Sequence, residues 1–85
     1  MTMEEMAAKY IRKTEKALEE VEVIRKSAYV DPEEINGIID EAKRYLEDAK
    51  YYLGKGQFGT SLASVAYCEG LLDALRMLGL VKFDW

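Results

Sequence analysis

A chain of 85 residues that is 49% apolar and 33% charged has the composition of one globular domain, residues 1–85, and not of a disordered tail or a fibre. Its 12 basic and 16 acidic residues leave a net charge of −4, which repels phosphate backbones at long range and excludes indiscriminate nucleic-acid binding. With no histidine and a single cysteine, histidine-dependent triads, zinc sites of cysteine and histidine, bundle di-iron sites and an internal disulfide are all excluded.

Met1 to Tyr10 carries Glu4, Glu5 and Lys9 and lacks the continuous apolar core of a signal peptide. A first helix is predicted over about 3–28, opened by Thr2 with Glu5 three residues on, the spacing of a capping box. Its apolar stripe, Met3, Ala7, Tyr10, Ala17, Val21, Ile24 and Ala28, interrupted by Thr14, advances in steps of three and four. A second helix is predicted over about 33–53. Asp31 is its expected cap, Pro32 suits its first turn, and Glu33 and Glu34 complement its positive end. Ile35, Ile38, Ile39, Ala42, Tyr45, Leu46, Ala49, Tyr52 and Leu53 form its apolar face, and Gly54 is expected to end it in a left-handed conformation. The short turn to Phe58 forces a third helix, about 58–78, back against the second.

The third helix is apolar on nearly every side. Val65, Cys68, Leu71, Leu72, Leu75 and Leu78 make a bulky face, and Gly59, Ala63, Ala66, Gly70 and Ala74 a small one that invites a close backbone contact. Its longest apolar run, Leu62 to Cys68, is broken by Ser64 and is far shorter than the roughly 20 residues of a membrane span. After Gly79 a short apolar tail ends in two aromatic residues. Leu80, Val81 and Phe83 are expected to close the end of the bundle, with Leu80, Phe83 and Trp85 as the competing interface candidates. The fold class is thus all-α, an antiparallel three-helix bundle, and the unpaired Cys68 favours a reducing, cytoplasmic setting.

Two charged clusters are candidate sites. Glu69, Asp73 and Arg76 share one side of the third helix and suggest a polar pocket, weighed against a solvated strip of ion pairs. Lys9, Arg12, Lys13 and Lys16 share one side of the first helix and would serve a nucleotide- or RNA-binding module, although no aromatic residue is interleaved for base stacking. Gly54-Lys55-Gly56 follows a helix and lacks the spacing of a phosphate loop. No cofactor, catalytic or metal-ligating set emerges.

The runs Lys9-Tyr10-Ile11 and Thr14 to Leu18, Ala42 to Leu53, Gly54 to Phe58, Ala66 to Ala74 and Leu78-Gly79-Leu80 resemble an archaeal family, domain of unknown function 357. The resemblance implies a small helical cytoplasmic protein and supplies no activity. Members often carry a histidine before the mid-helix glycine, where this chain has Glu69. Tyr67, Gly70, Leu72 and Asp73 match the family pattern, which makes Tyr67, Glu69, Gly70, Asp73 and Arg76 the candidate binding residues. Helical hairpins that cut RNA rely on an arginine followed closely by histidine, which is missing here. The leading expectation is a non-enzymatic protein-interaction module that contacts a copy of itself or another protein.

Overall fold

A computed structural model describes residues 1–24 and 29–85. The first helix, α1 (Met3–Glu20), starts at a complete capping box: the Glu5 N–H donates to the Thr2 hydroxyl at 3.1 Å, and the Thr2 N–H donates to the Glu5 carboxylate at 3.1 Å. Hydrogen bonds from Thr2 hold the Glu5 carboxyl below its ordinary pKa. Ala7, Ile11, Thr14, Ala17 and Leu18 turn inward.

The predicted extension of this helix to residue 28 is corrected: α1 ends at Glu20, and Glu22–Val23 form a short strand, β1. Ala28 lies outside the described residues. Two forces end the helix early. Its last turn holds Glu19 and Glu20 and no basic residue, which opposes the negative end of the helix dipole. Val21, Val23 and Ile24 then prefer extended backbone, and they find a partner in β2 (Val81–Lys82), with Glu22 opposite Lys82 and Val23 opposite Val81. The Ile24 N–H extends the ribbon by donating to the Leu80 carbonyl at 2.8 Å.

The second helix, α2 (Pro32–Gly54), begins at Pro32 with Asp31 in the capping position before it, but the Asp31 side chain makes no capping hydrogen bond. Gly54 remains helical, and the left-handed positions fall instead at Gly56 and Gly79 (φ +74° and +73°). The third helix, α3 (Phe58–Met77), follows after a tight turn. Its Ser61 hydroxyl donates to the Ala49 carbonyl at 2.7 Å, and its Tyr67 ring stacks on Tyr45, so α3 runs antiparallel to α2. Met3 lies beside Gly59 and Lys13 beside Glu69, an equal spacing in both pairs that makes α1 and α3 parallel and level. The bundle is therefore up-down-up.

Its core is built from one stripe of each helix: Ile11 and Leu18, Ile35, Ile39 and Leu46, Val65, Cys68, Leu72 and Leu75. Each fully buried aliphatic side chain contributes roughly 2 kcal/mol. Leu80, Val81 and Phe83 are buried against the same core and seal one end. Leu78, assigned by spacing to the bulky inner face, is instead largely exposed beside Met77.

Candidate functional site

On the side of the bundle facing away from α2, α1 and α3 enclose an open groove of about 580 Å³, lined by Tyr10 from α1 and by Leu62, Ala63, Val65, Ala66, Glu69, Gly70 and Asp73 from α3. Its floor is shallow because α3 presents small side chains there. Gly59, Ala63, Ala66, Gly70 and Ala74 are all exposed, and a Cβ added at Gly70 would meet nothing within 4 Å. Of the close contact expected along this small face, Gly59 has Met3 beside it, and nothing among the described residues comes close to Gly70. Met3 and Met6, 54% and 36% exposed, extend the apolar surface along α1.

The groove ends in a cluster of charges and rings. Lys13 lies 3.6 Å from Glu69 and stands over both Tyr10 and Trp85, 5.4 and 4.8 Å from their ring centres. Asp73 accepts a hydrogen bond from the Trp85 indole N–H at 2.8 Å and another from Arg76 at 3.0 Å. Arg76 in turn covers Phe83 and Trp85, whose rings meet edge to face. Glu69, Asp73 and Arg76 are thus brought together with Lys13, and each already has a partner in the chain. Nothing in the sequence pattern signalled that Trp85 would close this cluster.

The other candidates are distributed as follows. Gly70 lies in the groove floor. Tyr67 stands on the opposite flank of α3, 56% exposed, stacked at 4.3 Å on Tyr45. Burial beneath this stack pushes the Tyr45 phenol above its ordinary pKa, helped by Tyr67, Glu41 and Asp48. Lys9, Arg12 and Lys16 are exposed on α1, whereas Lys13 is committed to Glu69 and the two rings. Of the tail residues, Leu80 and Phe83 are buried in the chain's own core, and Trp85 is half-buried. Between α1 and α2, Lys50 bridges Glu15 and Glu47, and Glu15 holds its ammonium above the ordinary pKa. Tyr10, expected on the core stripe of the first helix, packs partly buried against the core and also lines the groove.

Among the described residues, no histidine, cysteine or carboxylate cluster of three or more comes together to hold a metal ion, and no helix is long and apolar enough to cross a membrane. Fold and groove together define a small up-down-up helical bundle with one open, small-residue face. The chain matches the family described as protein of unknown function (DUF357) over residues 9–81 and belongs to it. No curated protein and no solved structure matches it.

Proposed function

We propose that the chain is a protein-interaction module whose docking surface is the α1–α3 groove with the small-residue face of α3. The observation that carries this reading is the groove itself. It is open and mainly apolar, and it is floored by exposed Ala63, Ala66 and Gly70, with open space above Gly70 among the described residues. A glycine in mid-helix costs roughly 1 kcal/mol against alanine, and a partner backbone brought close to Gly70 is the compensation the isolated bundle lacks. Exposed Met3 and Met6 beside it supply flexible apolar surface suited to an interface.

Ala66 is exposed and helical, so Ala66→Arg blocks the face without entering the core. The expected result is a species, this chain or another protein, held by immobilised wild-type protein and lost with Ala66→Arg. If wild type and variant retain the same species, or none, the groove is not the docking surface.

A further inference from the structure

We infer that the occupant of this face is a second copy of the chain, related by a twofold axis parallel to the helices, so that α1 of each copy packs on α3 of the other. This rests on the docking reading above and adds the partner and its orientation. The face has two unlike halves. Its α1 half is bulky and basic, with Tyr10 and Lys13 and, four residues before them on the same side of the helix, exposed Met6 and Lys9; its α3 half is small and acidic, with Ala63, Ala66 and Gly70 beside Glu69 and Asp73. The halves are parallel and level, as the pairs Met3–Gly59 and Lys13–Glu69 establish.

A twofold axis along the bundle exchanges the halves without changing their height. Met6 and Tyr10 of one copy then meet Ala63 and Ala66 of the other, large against small. Lys9 and Lys13 meet Glu69 and Asp73 of the other copy, basic against acidic. A twofold axis across the bundle would instead oppose α1 to α1, setting lysine against lysine and glycine against alanine with a gap between them. Like charges and voids both disfavour that arrangement. The parallel one is isologous and closes at two copies. Lys9 has no ion-pair partner among the described residues, and the second copy offers it Glu69.

Solution mass by light scattering, from micromolar to near-millimolar protein, tests the proposal together with two variants and one cross-link. A wild-type dimer is expected. Ala66→Arg should abolish it while leaving the thermal transition in place, and Lys9→Glu should weaken it on the order of tenfold, because symmetry counts each reversed pair twice. Orientation is read by mixing Met6→Cys protein with Ala63→Cys protein: a mixed disulfide dimer should form under oxidation. A wild-type monomer throughout the range overturns the second copy, and if Ala66→Arg still loses a captured protein the docking reading survives alone. A dimer indifferent to Ala66→Arg overturns both. A dimer that fails to yield the mixed disulfide overturns the parallel twofold.

Discussion

Replacing Thr14 by valine is expected to stabilise the protein. Thr14 is fully buried on α1, and its hydroxyl has no hydrogen-bond partner among the described residues. A hydroxyl taken out of water and left unsatisfied costs on the order of 1–3 kcal/mol. Valine keeps the branched shape, exchanges the hydroxyl for a methyl, and has a similar helix propensity. Folding strain from the extra methyl hydrogens offsets part of the gain, so an increase of about 1 kcal/mol is expected, equivalent to a rise in Tm of roughly 4–8 °C for a domain of this size. Urea unfolding followed by circular dichroism gives the free-energy change, and a thermal melt gives the shift. A valine variant that is equal to or less stable than the wild type would refute the reasoning, because it would mean that the hydroxyl is satisfied in the folded state.

Ser61→Ala should act in the opposite direction, costing about 1 kcal/mol in the same urea assay, since its buried hydroxyl donates to the Ala49 carbonyl at 2.7 Å. Burial, with Glu69 adding to it, pushes the Cys68 thiol up to about 12 from an ordinary value of 9.0. The folded state keeps a proton that the unfolded state releases, so stability should be level below pH 9.0 and fall as pH rises towards about 12. Thiol reagents should also modify native Cys68 far more slowly than the unfolded chain at mildly alkaline pH. Trp85 is the sole tryptophan, and Asp73→Ala removes the acceptor of its indole N–H. Its emission should shift to the red and become easier to quench, and an unchanged spectrum would count against the Asp73 contact.

The helices were legible because each carries a stripe that meets the core at regular spacing, and the α2–α3 hairpin followed from the short connection through Gly56. The end of α1 was not, because Val21, Ile24 and Ala28 continue the helical spacing although Val23 and Ile24 belong to an extended ribbon. That ribbon depends on Val81, at the far end of the sequence, and local periodicity carries no information about a partner so distant. Two local signs were nevertheless present: the acidic last turn and the cluster of β-branched residues behind it. The polar residues of the candidate site were legible as a cluster because Glu69, Asp73 and Arg76 share a helix side. Lys13 and Trp85 were separated from them in sequence and joined only through the parallel packing of α1 on α3 and the return of the tail. The small face of α3 was visible as a pattern, but only the structure establishes that no part of the described chain packs against Gly70.

Gly70→Ala separates what that face does for folding from what it does for association. A Cβ at Gly70 enters open space in the isolated bundle, and the backbone there is ordinary helix. Alanine should therefore raise the stability of the folded monomer by roughly 1 kcal/mol, through the lower entropy of its unfolded chain and its better helix propensity. Gly37 provides the control, being exposed in α2 with equally open space around its Cβ position, away from the groove. Gly37→Ala should strengthen folding by a similar amount and leave association untouched. At Gly70 the added methyl stands where a partner's side chains would come closest, so association should weaken while the melting temperature rises. Opposite signs in the two measurements would locate the close contact between molecules; a rise in both would place the partner elsewhere on the bundle and leave the glycine without a role in binding.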